Sequence, residues 1–173
     1  MNKNRIILRA VEPNDIDLIF KWENDQDLWH LSQTLIPFSR FDIEQYVMSA
    51  DKDIFAVKQL RLIIHDTEEN KSVGCIDIFD FDPKNRRAGL GILIEKSEQK
   101  KGYASEALDQ VIEYSFDTLN LHQLYCNIEV DNTVSLELFR KKEFLEIGIK
   151  KDWNLRQGEY IDELILQRIN YSK

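Results

Sequence analysis

A change of hydrophobic period near the middle of the chain constrains the fold more than any other feature. Leu90-Gly91-Ile92-Leu93-Ile94 is an apolar run of strand length. The polar loop Gln99-Lys100-Lys101-Gly102-Tyr103-Ala104 follows. From there Ala104, Leu108, Val111, Ile112, Ser115 and Phe116 recur at helical spacing. A strand that runs through a Gly-containing loop straight into a helix exposes backbone N–H groups at the positive end of the helix dipole. Such an end is an anion site, and phosphate is its usual guest. The spacing is not that of a P-loop, which needs Gly-Lys-Ser/Thr four residues after a first Gly. Nor is it the Gly-x-Gly-x-x-Gly of a dinucleotide fold, because Gly89-Leu90-Gly91 lies before or inside the apolar run. Taken alone, the loop is equally an ordinary turn in which Gly102 supplies a positive φ.

The remaining pattern is that of a layered fold. Ile6-Ile7-Leu8-Arg9 reads as a first strand, and Pro13-Asn14-Asp15 opens a helix carrying Ile16, Ile19 and Phe20. Residues 25 to 37, with Trp29 and His30, read as a loop with room for a short helix. Ser39-Arg40-Phe41-Asp42 resembles a capping box for a helix from Phe41 to about Ala50. Leu60–His65 and Val73–Phe81 form a hairpin across a polar turn, and Arg87–Ile94 is the next strand. Leu124–Val130 places Tyr125, Asn127 and Glu129 on one face and Cys126, Ile128 and Val130 on the other. Thr133–Lys142 is a helix, and Phe144–Lys150 and Tyr160–Ile169 are closing strands. The order β-α-α-β-β-β-α-β-α-β-β predicts an α/β (α+β) fold with helices packed on a mixed, mostly antiparallel sheet.

Length and charge set further bounds. With 173 residues, 43% hydrophobic and 31% charged, and no linker composition, one domain is expected over 1–173. The net charge of −8 and the scattered Lys and Arg, clustered only at Lys100-Lys101, Arg140-Lys142 and Lys150-Lys151, argue against nucleic-acid binding. An acidic surface suits an amine substrate, and equally suits plain solubility. The N-terminus lacks the apolar segment of a leader and no apolar run approaches membrane-spanning length, so a cytoplasmic chain without a membrane span is expected. Cys75 and Cys126 sit in strand-like apolar contexts and read as buried free thiols. His30, His65 and His122 are far apart and give no metal signature.

A second motif narrows the reading. Val130-Asp131-Asn132-Thr133-Val134-Ser135-Leu136-Glu137-Leu138-Phe139 runs on to Phe144 and Gly148. With Gln-x-x-Gly-x-Ala at residues 99–104, this pair resembles the core of the GCN5-related N-acetyltransferases, in which Asn, a small residue three positions on, Leu-Tyr and then Gly-Phe recur. Asn132, Ser135, Leu138 and Phe144 fit, and the likeness spans nearly the whole chain. Within that superfamily the chain resembles the spermidine/diamine acetyltransferases and the group acetylating ribosomal-protein N-termini.

The resemblance implies acetyl-coenzyme A as cosubstrate and direct attack on the thioester by a primary amine. It implies that backbone groups of Ile92, Leu93 and Ile94 bind the pantetheine arm. The N–H groups of Gln99, Lys100, Lys101, Gly102, Tyr103 and Ala104 would hold the pyrophosphate, with the two Lys side chains adding attraction or standing as solvated charge. Asn132 would bond the pantetheine, cap the following helix, or both. The usual proton donor, a Tyr, is replaced by Phe139, still a cofactor contact. Ser135 or Tyr160 could stand in, or the thiolate, with a pKa of about 8.5, could leave unaided. Relatives carry a base at the places of Gly89 or Asn127; here Glu129 remains as base or as an exposed strand carboxylate.

The acidic pair that polyamine enzymes present after the first helix is missing from Trp29-His30-Leu31-Ser32-Gln33-Thr34. An α-amine, roughly a third neutral near neutral pH, therefore fits better than an amine of pKa about 10.4, which is about 0.1% neutral. Asp25, Asp27, Glu44, Asp152, Glu159 and Asp162 keep a polyamine acceptor open. A coenzyme-A-binding member without turnover is the alternative to an enzyme. The family implies a homo-oligomer, dimer or larger.

Overall fold

Alternation along the central strands decides which helices lie on which side of the sheet. The computed structural model describes residues 5–29, 34–49 and 53–172. Seven strands, β1 (Ile6–Ala10), β2 (Leu60–Asp66), β3 (Lys71–Asp82), β4 (Arg87–Ile94), β5 (Gln123–Glu129), β6 (Leu145–Arg156) and β7 (Glu159–Ile169), form one sheet in the order β1-β2-β3-β4-β5-β7-β6. Helices among the described residues include α1 (Ile16–Glu23), α2 (Arg40–Met48), the single turn α3 (Ile54–Val57), α4 (Tyr103–Glu113) and α5 (Thr133–Lys141).

Ile64, Ile76, Ile78 and Leu90 face Ala107, Leu108 and Val111 of α4 and Leu136 and Phe139 of α5 in one core. Their neighbours Ile63 and Cys75 point the other way, against Ile19 and Trp22 of α1 and Ile43 and Val47 of α2. The sheet is thus covered on both faces, which is why successive residues such as Ile63 and Ile64 of β2, and Cys75 and Ile76 of β3, are all buried.

The expected order of elements holds, with corrections. Ser39 caps α2 through the capping box, accepting from Asp42 N at 3.1 Å while Asp42 Oδ2 accepts from Ser39 N. The helix stops at Met48, because Ser49 closes it, and Ala50 lies outside the described residues. The one-turn α3 is too short for a periodic signal. β6 begins at Leu145 and runs to Arg156, well past Lys150, because two bulges let it keep pace with the long β7. After α4 the chain widens into a π-helical turn, Tyr114–Thr118, rather than ending cleanly.

All neighbouring strands are antiparallel except β4 and β5. That parallel pairing covers only Arg87↔Gln123, Ala88↔Leu124 and Gly89↔Tyr125. β4 continues to Ile94 and β5 to Glu129 without pairing, so the sheet forks at its centre. The Phe79 ring packs at the base of the fork, edge-on to Tyr125 with centroids 5.8 Å apart.

Candidate active site at the fork of the sheet

Backbone that stops pairing in the middle of a sheet leaves N–H and C=O groups that need partners. Past Gly89, the β5-facing groups of Leu90 to Ile94 have no ladder partner. A narrow cavity of about 120 Å³ fills the fork between Leu90, Gly91 and Ile92 of β4 and Cys126, Ile128 and Glu129 of β5, with Asn132, Ser135 and Phe139 of α5 behind it. On the α1 side a wider cavity of about 550 Å³ opens from the same stretch of β4, lined by Trp22, Glu23, Arg61, Asp77, Phe79 and Trp153. Leu90, Gly91, Ile92, Asn127 and Glu163 line both, so the two cavities meet through the sheet.

The Gln99–Ala104 loop delivers β4 into α4. Lys100 and Gly102 have positive φ, 62° and 91°, and turn the backbone sharply into the helix. Ser105 and Glu106 donate to Gly102 C=O, leaving the N–H groups before them at the open end of the helix. A Cβ at Gly102 would meet only Glu106 Oε1, at 3.8 Å, so the approach is clear. The loop is braced from behind. Arg5 donates to Lys101 C=O at 3.0 Å, lies 4.1 Å from the Tyr103 ring centroid and pairs with Asp66. Tyr103 is buried and its hydroxyl donates to Asp66 at 2.6 Å. That bond, with N–H donors from Glu69 and Glu68, holds the Asp66 carboxyl down at about 2. Lys101 pairs with Glu98 at 3.0 Å; Lys100 is exposed and pairs with no carboxylate among the described residues. Gln99 donates its side-chain amide to Ile94 C=O at 3.2 Å, tying the loop to the strand end.

Asn132 caps α5 by accepting from Ser135 N at 3.2 Å and lines the fork cavity, and its Nδ2 has no acceptor among the described residues. One side chain thus serves as cap and keeps a donor for a ligand amide. An open helix start, a clear Gly, a strand edge with unpaired amides and an Asn donor together fit a pyrophosphate-tailed, amide-containing arm such as that of coenzyme A.

Comparison with known proteins agrees. The acetyltransferase (GNAT) domain family matches residues 5–144. The chain belongs to that family. This acetyltransferase is 27% identical over 161 residues to the uncharacterized N-acetyltransferase p20 of Bacillus licheniformis, covering 91% of this chain and 89% of that one. It is 26% identical over 162 residues to the spermidine N(1)-acetyltransferase of Vibrio cholerae, covering 92% and 90%. The crystal structure of Vibrio cholerae spermidine N-acetyltransferase in complex with CoA and spermine superposes with a TM-score of 0.87 at 23% identity over 96% of each chain, which shows the shared fold. The protein is an N-acetyltransferase that uses acetyl-coenzyme A.

The acetyltransferase fold gathers some of the residues singled out from sequence and disperses others. Ser135 and Glu129 reach the fork cavity. Glu129 is not an exposed strand carboxylate: it is 7% exposed and accepts from Arg156 at 2.9 Å. Tyr160 sits near the tip of the β6–β7 hairpin, 63% exposed, and lines neither cavity. Phe139 lines the fork and packs edge-on against Phe144, centroids 5.0 Å apart. The Leu93 side chain turns to the α1 side, whereas Ile92 and Ile94 pack into the core on the α4/α5 side. At Gly89, a Cβ would overlap the Phe79 ring, which leaves no room for a carboxylate side chain there.

Sequence reasoning missed the charges on the α1 side of the fork. Arg61 forks onto Asp77 at 2.7 and 2.8 Å and also reaches Glu23. Lys150 Nζ donates to Glu163 at 2.7 Å. These residues lie on four strands and α1 and have no common spacing that a sequence pattern could reveal. Of the six acids that kept a polyamine acceptor open, only Asp25 and Asp27 lie in a loop, where they pair with Lys96; Glu44 lies on α2 and pairs with Arg40, Asp152 lies on β6, and Glu159 and Asp162 lie on β7, Asp162 paired with Lys151. His30 to Gln33 lie outside the described residues. Cys75 and Cys126 are buried free thiols on opposite faces of the sheet, and burial pushes both thiols up. Among the described residues, no helix is long and apolar enough to cross a membrane.

Proposed function

We propose that acetyl-coenzyme A lies on the α4/α5 side with its thioester at the fork, and that a primary amine of low positive charge enters from the α1/α2 side. One observation carries this reading: β4 and β5 part after Gly89, and the gap joins a cavity at α5 to a cavity at α1. Bound acetyl-coenzyme A supplies the activated acetyl group. The chain's own residues do the rest. Amides at the start of α4 and Gly102 hold the pyrophosphate, and the unpaired β4 edge and Asn132 Nδ2 hold the pantetheine amides. A β4 N–H polarises the acetyl carbonyl, the charge stabilisation that acyl transfer needs most. Ser135 is the hydroxyl nearest in role to the missing Tyr, and a thiol of pKa about 8.5 asks little of it.

The acceptor cavity favours a single ammonium. Glu23 and Asp77 share Arg61, and Glu163 is paired with Lys150, so the negative excess is small. A small amine or a peptide N-terminus fits better than a chain of several charges. The polyamine reading stands second, supported by the net charge of −8 and the likeness to the Vibrio cholerae enzyme. We also propose that the whole chain acts as one domain and assembles with further copies through β6. That edge strand leaves Leu145, Ile147, Ile149, Trp153 and Leu155 exposed on its surface.

The test is thiol release from acetyl-coenzyme A with spermidine, lysine, an alanine-terminated tripeptide and glucosamine. Turnover of the singly charged amines with slower spermidine is the expected result. Rapid spermidine turnover with none of the others would replace this reading by the polyamine one.

A further inference from the structure

We propose that Glu163 is the base that takes the proton from the incoming amine. The inference rests on the fork being the reaction centre. Four carboxylates are buried among the described residues: Asp15, Asp66, Glu129 and Glu163. Asp15 is committed to the Arg9 guanidinium, at 2.7 Å to each oxygen, and Asp66 to Tyr103 and Arg5; neither lines a fork cavity. Glu129 lines only the α5-side cavity and is bound by Arg156, whose proton is not given up at any accessible pH.

Glu163 differs on each count. It is 6% exposed, yet it lines both cavities where they meet. Its Oε1 accepts from Lys150 Nζ at 2.7 Å and its Oε2 from Asn154 Nδ2 at 3.2 Å. Each carboxylate oxygen can accept more than one bond, so an arriving N–H still finds a lone pair. Register fixes the position: Glu163 on β7 stands opposite Glu129 on β5 and Lys150 on β6, so its side chain is set by two ladders at once.

The surrounding charges favour an ammonium. Facing Glu163 are Lys150 of β6; Glu129 with Arg156 and Asp131; and, across the acceptor cavity, Glu23 of α1, Arg61 of β2 and Asp77 of β3. Counting Glu163 itself, five carboxylates stand against three cations, a local negative excess that attracts a cationic group. The ammonium gives one proton to Glu163. The neutral nitrogen then bonds the acetyl carbonyl carbon, the C–S bond breaks with its electron pair going to sulfur, and the second nitrogen proton ends on that sulfur. Glu163 returns its proton to solvent. This supplies a base at a fork where Gly89 and Asn127 offer none.

The experiment follows thiol release by wild type, E163Q, E163D and K150M with the four acceptors named above. On the best acceptor near neutral pH, E163Q should lose about 10²- to 10⁴-fold in kcat, the range for a lost general base, with the KM for acetyl-coenzyme A unchanged. Its remaining rate should climb about tenfold per pH unit toward the pKa of the amine, as solvent removes the proton in advance. E163D should recover part of the loss, and K150M, which strips the base of its partner but leaves the carboxylate, should lose less kcat than E163Q and should not show that climb of rate toward the pKa of the amine. E163Q within about threefold of wild type, or K150M falling as far as E163Q, would overturn the assignment and leave Glu163 as an anchor for Lys150. If E163Q does not fold by circular dichroism, E163D and K150M carry the same comparison. Wild-type silence with every acceptor would sink the acceptor reading of the fork, and the base with it.

Discussion

Asn132 performs two tasks with two atoms, and substitution can part them. Oδ1 caps α5, and Nδ2 is the donor left to a residue that lines the fork. Asn132→Asp keeps a capping oxygen but loses the donor; it should raise the KM for acetyl-coenzyme A while the melting temperature holds. Asn132→Ala should do both, raising KM and costing about 1 kcal/mol of stability, or about 2–4 °C in Tm for a chain of this size. Steady-state kinetics beside a thermal melt checks the pair. Gly89 makes the opposite case, a position where a side chain is forbidden. A Cβ there would overlap the Phe79 ring. Gly89→Ala should therefore destabilise by about 1–3 kcal/mol in denaturant unfolding. Phe139 is packed with its ring edge to Phe144. Phe139→Tyr would return a hydroxyl to the fork cavity, and the gain in kcat should stay below about tenfold, because the thiol is already a fair leaving group.

At the scale of elements, the start of α4 depends on a brace that sequence gives no hint of. Arg5, just ahead of β1, holds the loop at Lys101 C=O and holds Asp66 at the end of β2, while Tyr103 closes the triangle. Arg5→Met should raise the KM for acetyl-coenzyme A with little change in kcat, and Arg5→Lys should restore part of it; a purely structural loss would lower the apparent kcat with the folded fraction and leave KM unchanged. The same brace predicts a pH effect. Asp66 is held at about 2 by the Tyr103 hydroxyl and two backbone N–H groups, below the unfolded value of about 3.9. A depressed carboxyl stabilises the fold above its unfolded pKa, and that contribution is lost as pH falls from about 4 toward 2. Asp66→Asn should flatten the acid-unfolding curve in that window, as read by circular dichroism, and lower stability at neutral pH. Tyr103 shows what a motif conceals: its place in the loop is legible, but its side chain turns into the core and only its backbone remains for a ligand.

Over the whole molecule, the two layers of helices make the fork useful, because they place a cofactor and an amine on opposite sides of one gap. Coenzyme A should raise the melting temperature; at 100 times its Kd the gain is about 2.7 kcal/mol. The sequence determined the order of the elements, the loop before α4 and the Asn132 cap, because these depend on neighbours a few residues apart, where periodicity and capping chemistry act. It also showed that Phe139, Gly89 and Asn127 break the expected catalytic pattern. Only the tertiary structure decided that Tyr160 is remote, that Glu129 is locked to Arg156, and that Arg61 gathers Glu23 and Asp77. It alone set Glu163 beside Lys150 at the meeting of two cavities. Strand pairing brings together residues far apart in the chain, and register, which no local pattern encodes, selects which carboxylates share a gap and which are neutralised.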